Sequence, residues 1–180
     1  MSQASDLQAQ GVKQYQQKRY DEAAASFQQA RAAFEAAAQP DMAAEMRVNL
    51  GLVLRAQGKT QEALDEMGEA YLVFEGMADQ KRQAIVLGNM GAAYKALGDK
   101  EQAYLCYRDA ADMFNDVGEK SMYGETLLAM ADLQMSERKV TAAAATYEAG
   151  LSEIGDLSAS QKVIRNLISL RNKMLGGGLS

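Results

Sequence analysis

The chain has no histidine, no tryptophan, one cysteine and one proline in 180 residues. Without histidine it lacks the commonest general base, any serine–histidine–aspartate arrangement and the commonest metal ligand. Cys106, standing alone, excludes an internal disulfide and a cysteine-built metal site, and its lone thiol suits a reducing compartment. No run approaches 18 apolar residues, so no membrane insertion is expected. Residues 1–6 carry neither a basic nor an apolar leader region, and a cytoplasmic protein is expected. A net charge of -5 and a pI near 4.9 argue against nucleic acid as the main partner. No catalytic residue, metal or cofactor is expected.

What is present is a period of 40 residues. Ala23, Ala63, Ala103 and Ala143 share one phase, and Ala30, Ala70, Ala110 and Gly150 are small seven residues later. Gly11, Gly51, Gly91 and Ala131 stand twelve residues before the alanines. Phe27, Met67, Tyr107 and Tyr147 are large in every cycle, and Phe34, Phe74, Phe114 and Ile154 keep the register. Such a pattern predicts stacked copies of one helical hairpin, because no copy buries its apolar face alone.

The predicted helices run over 3–17, 21–37, 41–57, 61–77, 80–97, 101–117, 120–136, 141–155 and 159–175. Their interiors are rich in Ala, Glu, Gln, Leu and Met, all good helix formers. Turns are expected near Lys18, Gly58, Gly98 and Arg138, where a helix end needs positive φ. Asp99 with Gln102 makes a capping-box pattern, and Asp21, Asp41 and Thr60 are expected caps. Gly51 with Ala63, Gly91 with Ala103 and Gly11 with Ala23 are expected to let paired helices touch.

These residues resemble the tetratricopeptide repeat (TPR). Its pattern of Leu-Gly-x2-Tyr followed by Ala-x3-Phe is met by Met90-Gly91-x2-Tyr94 with Ala103-x3-Tyr107, and by Leu50-Gly51-x2-Leu54 with Ala63-x3-Met67. The repeat is 40 residues where 34 is usual, which resembles the longer repeats of kinesin light chains and Pins-like adaptors. The resemblance implies an all-α, right-handed superhelical solenoid of four helix-turn-helix repeats plus a C-terminal capping helix. One domain over 1–175 is expected, with repeats at about 3–40, 41–79, 80–119 and 120–157, the cap at 159–175 and a flexible tail at 176–180. Leu167, Leu170 and Arg171 continue the phase of Leu127, Met130 and Ala131, while Lys162, Arg165 and Lys173 charge the cap's other face.

The resemblance further implies a concave groove lined by first helices. Its positions here give Tyr15, Val48, Asn49, Leu52, Arg55, Ile85, Asn89, Lys95, Leu128 and Met135 as partner-binding candidates. Asn49 and Asn89 lie one period apart, where a carboxamide offers donor and acceptor together to a peptide backbone. The alternative is an asparagine that is solvated or bonded within its own helix. Arg55 and Lys95 suit acidic side chains or a chain terminus, or are simply solvated. The family's carboxylate clamp is absent, because its cationic positions hold Gln8, Ile85 and Asn89 in repeats one to three, and Val48, Glu125 and Ala129 in repeats two to four. Val48, Leu52, Ile85 and Leu128 suggest apolar anchoring instead.

Residues 41–80 hold 3 basic against 8 acidic residues, while the stretches 1–40, 81–120 and 121–180 each balance. Glu62, Asp65, Glu66 and Glu69 form one helical stripe, read as a solvated face or, alternatively, a dock for a basic partner. Cys106 reads as a core filler, and Asp65 with Glu66 or Asp109 with Asp112 as helix surface. The whole predicts a non-catalytic module binding a protein or peptide partner. A chaperone or assembly factor shielding a client segment, and a self-associating scaffold, are the alternatives.

Overall fold

The computed structural model describes residues 3–176, with side chains through residue 171. Among the described residues there are nine helices and no strand: α1 (Gln3–Gln16), α2 (Tyr20–Ala36), α3 (Pro40–Ala56), α4 (Thr60–Gly76), α5 (Gln80–Leu97), α6 (Lys100–Asp116), α7 (Lys120–Ser136), α8 (Val140–Glu153) and α9 (Ala159–Gly176). The expected tail falls almost wholly on residues 177–180, outside the described part.

From α2 to α7 the helices start every 20 residues, because one turn design recurs. Lys18, Ala38, Gly58, Ala78, Gly98, Gly118 and Arg138 all have φ between 53° and 84°. The residue after each left-handed position donates its N–H to a carbonyl five residues back, as in Arg19 to Gln14, Gln39 to Phe34 and Lys139 to Gln134. The left-handed residue itself closes the inner bond, as in Lys18 to Tyr15. This is the Schellman geometry. Turns within and between repeats are therefore alike.

The same turn corrects three expected caps. Arg19, Gln39 and Lys59 occupy the N-cap positions of α2, α3 and α4 and make no side-chain cap bond. Asp21, Asp41 and Thr60 lie just inside their helices, since the turn needs only three residues. The two carboxylates there still face the positive end of the helix dipole. Asp99 does accept from the Gln102 N–H at 3.0 Å, and Asp79 caps α5 in the same way through Arg82. A reciprocal box forms at α9: Ser158 Oγ accepts from the Gln161 N–H, and Gln161 Oε1 accepts from the Ser158 N–H.

The chain divides into two compact units, one up to Cys106 and one from Tyr107 on. In the first, each helix packs on the next from α1 to α5, and α3 also touches α5. Ala23, Phe27, Ala30 and Phe34 of α2 meet Met46, Leu50 and Val53 of α3 in one core layer. Met67, Ala70 and Phe74 of α4 meet Ala44, Val48 and Val86 in the next. Each second helix is thus held between its own first helix and the following one. The expected close approach of Gly51 to Ala63 is present: a Cβ on Gly51 would stand 2.9 Å from Met67 and 3.1 Å from the Ala63 carbonyl, while one on Gly11 would stand 2.8 Å from the Phe27 ring. Gly91 and Ala103 are both buried.

In the second unit α7 packs on α8, and α8 on α9. The tightest approach is one the sequence reading did not pair. A Cβ on Gly124 would stand 2.6 Å from the Gly150 carbonyl, and one on Gly150 would stand 2.8 Å from that of Gly124. The α9 helix rests on a narrow stripe. Ile168 is buried, whereas Leu167 and Leu170, the pair that continues the repeat phase, are 61% and 55% exposed. Their counterpart Met130 is buried in α7. Phase in the sequence therefore does not carry over to the face α9 buries.

Candidate functional site

A cavity of about 200 Å³ opens between the first helices of repeats two and three. Val48 and Asn49 of α3, Ile85 and Val86 of α5 and Phe74 of α4 line it, with Glu45 and Arg82 beside them. Val48 and Val86 are buried because they also close the core layer against Met67 and Ala70. Ile85 and Asn49, each next in sequence to one of these valines, are half-buried on the accessible side. Three expected site residues, Val48, Asn49 and Ile85, thus come together at one place. Leu52 packs half-buried against the same layer.

Arg82 organises the edge of this cavity. Its guanidinium lies 4.7 Å from the centre of the Phe74 ring. It donates to Asp79 at 2.6 Å, to Glu45 at 3.1 Å and to Asp41 at 3.4 Å. Burial works against its charge, but the hydrogen bonds and charges of Asp79, Asp41 and Glu45 outweigh that and hold its pKa above the ordinary value. The Arg82 backbone N–H, more than any other group, holds the Asp79 carboxyl below the usual range, with the guanidinium adding to it against the effect of burial. Arg82 was not among the sequence candidates. The visible signal was Asp79 three residues before it at a helix start, with Asp41 and Glu45 about one period earlier.

Asn89 donates from Nδ2 to the Ile85 carbonyl at 3.0 Å. One N–H of its carboxamide is used within its own helix, which leaves the carbonyl oxygen and the second N–H to offer outward. Arg55 is half-buried and Lys95 exposed. Tyr15 stacks at a tilt on Tyr20, with ring centres 5.8 Å apart, and packs on the first core layer. On the second unit Met135 is exposed, while Leu128 lies half-buried against Gly150. There Tyr147 of α8 donates to Asp132 of α7. Burial first, and this bond with its negative charge second, push the Tyr147 phenol up to about 12.

The acidic stripe on α4 is not uniform. Glu66 accepts from Arg47 at 2.8 Å and from Arg31 at 3.1 Å, tying α4 to α3 and α2. Glu62, Asp65 and Glu69 remain exposed. Cys106 is buried. Among the described residues no cluster of three or more histidine, cysteine, aspartate or glutamate side chains is placed to hold a metal, and no helix is long and apolar enough to cross a membrane.

Helix pairs packed in series, with small residues at their contacts and first helices presenting a lined cavity, define a TPR-like helical-repeat protein, a fold that typically serves protein–protein interaction. The sequence model of the soluble NSF attachment protein (SNAP) family matches residues 1–175, and the chain belongs to that family. The fold is similar to that of BtubC (BKLC) from P. vanneervenii, with a TM-score of 0.76 and 15% identity over 96% of this chain and 72% of that one. It is also similar to the nearly identical TPR-like repeats of a Podosopora anserina kinesin light chain (TM-score 0.73, 14% identity, 99% of this chain and 90% of that one). The Sgt2 TPR domain from Aspergillus fumigatus aligns with a TM-score of 0.55 and 20% identity over 76% of this chain and 83% of that one. Among curated proteins none matches the chain. TPR-like and SNAP-like families are in general non-catalytic and bind protein partners.

Proposed function

We propose that this chain is a non-catalytic interaction module whose first helices hold a peptide or helix of a protein partner. The observation that carries the reading is the cavity between α3 and α5. Its walls are Val48, Ile85, Val86 and Phe74, and its volume of about 200 Å³ suits one aliphatic side chain. In this reading an apolar anchor of the partner enters the cavity. Asn49 and the carbonyl oxygen of Asn89 bond its backbone beside the anchor, and Leu52 extends the apolar floor. Arg55 and Lys95, at the C-terminal ends of the same helices, meet acidic groups of the partner. Tyr15 in repeat one and Leu128 and Met135 on the second unit are proposed as further contacts along the chain.

The test is affinity capture from native lysate with quantification of what is retained. Asn49→Ala, Asn89→Ala and Ile85→Ala combined are expected to lower specific capture by about tenfold, as truncating central anchors does. Alanine is the better helix former at both asparagine positions, so helicity should not fall. Capture unchanged by the triple substitution, with circular dichroism intact, would rule out this groove.

A further inference from the structure

The charge balance of residues 121–180 conceals a segregation. All 24 acidic residues of the chain precede residue 157, whereas Lys162, Arg165, Arg171 and Lys173 lie in α9 with no carboxylate among them. On the same helix Val163, Leu167 and Leu170 are 57%, 61% and 55% exposed. Spaced four and three residues apart, they fall within about 60° of one another around the axis, a single apolar stripe. Ile168, on another face, is buried, and a cleft lined by Leu151, Ser152, Ile168 and Ser169 opens between α8 and α9. Lys162 is exposed and flanks the stripe.

We propose that this exposed face of α9 adsorbs onto an anionic lipid bilayer, with Val163, Leu167 and Leu170 seated at the headgroup boundary and Lys162 among the phosphates. A basic amphipathic helix of low overall hydrophobicity is what binds in that plane without spanning. The observations disfavour a second copy as the occupant. Pairing two such helices would oppose cation to cation. Three half-exposed aliphatic side chains also fall well short of the roughly 800 Å² per partner that a stable protein interface takes. Against a bilayer the same small area suffices, because each cation adds its own attraction to a negative surface. The acidic remainder of the chain is repelled by that surface, so contact is confined to α9.

The absence of tryptophan gives a clean readout. In the full chain Leu167→Trp supplies the only indole, at an exposed position where the fold does not depend on the leucine. Its emission is expected to shift to the blue with vesicles of phosphatidylcholine containing about 30 mol% phosphatidylserine, and not with phosphatidylcholine alone. Raising salt to ~0.5 M should reverse the shift. Adding Lys162→Glu, or Val163→Ser with Leu170→Ser, should weaken vesicle binding at least tenfold while leaving the helical circular dichroism unchanged. No shift with the anionic vesicles, or an equal shift with neutral ones, would overturn the proposal. So would a blue shift that grows with protein concentration without lipid, since that would place a second copy on this face.

Discussion

At the residue scale the small side chains do different work according to what they face. The missing Cβ of Gly124 would meet a backbone carbonyl at 2.6 Å, which cannot move without the helix, whereas around Gly68 there is open space. Gly124→Ala is therefore expected to destabilise by about 1–3 kcal/mol, the range of overpacked sites. Gly68→Ala, in the middle of α4, is expected to stabilise by about 0.5–1 kcal/mol through helix propensity. Thermal melts of the two variants should move in opposite directions, and a shift of the same sign would contradict the packing. Tyr147 offers a second test. Its folded pKa of about 12 lies above tyrosine's ordinary 10, so the neutral phenol is the form the fold favours. The stability it lends is complete below pH 10 and is lost as pH rises through 12. Ultraviolet titration of the eight tyrosines should show a late-ionising step that Tyr147→Phe removes. Much at this scale was legible beforehand. Gly11, Gly51 and their alanine partners announced helix contacts because smallness recurs in one phase. Gly124 was not legible, because the column it ends, Ala4, Ala44 and Ala84, looks like ordinary helix sequence. Arg82 was not legible, since its role needs Phe74, Asp41 and Glu45 from two other helices at once.

At the element scale the recurring turn sets where α2 to α8 begin and where stability has been left unused. Glycine holds the left-handed position at 58, 98 and 118, but alanine holds it at 38 and 78. A Cβ in that conformation costs on the order of 1 kcal/mol. Ala78→Gly is expected to recover part of it, and a lower melting temperature would show that the strain is absent. The residue after the turn is an N-cap without a capping side chain in α8, where it is Lys139. Lys139→Asp should add about 1 kcal/mol by accepting a first-turn N–H and by meeting the positive helix end with a negative charge, to be read from denaturant midpoints. The misplaced caps at Asp21, Asp41 and Thr60 share one cause. Cap preferences in the sequence are statistical, while here the three-residue turn dictates the cap position whatever residue stands there.

At the scale of the molecule, a repeat chain is stabilised by neighbours, so protection should follow how many sides of a helix are packed. The α3 and α4 helices are each flanked in sequence by packed helices, whereas α9, at the end of the described chain, packs on α8 and turns three aliphatic side chains to solvent. Amide exchange is expected to be slowest in α3 and α4 and fastest in α9, and strong protection of α9 in the isolated chain would mean that its exposed face is already covered. The 40-residue rhythm, the run of helices and the close contact of Gly51 with Ala63 could be read from the amino acids alone. They are set by side-chain size and helix propensity repeating at fixed intervals along the chain. The cavity at Val48 and Ile85, the Arg82 cluster and the face that α9 turns outward were settled only by tertiary packing. Each depends on the rotation of one helix against another, and that is fixed by side chains distant in sequence meeting in space.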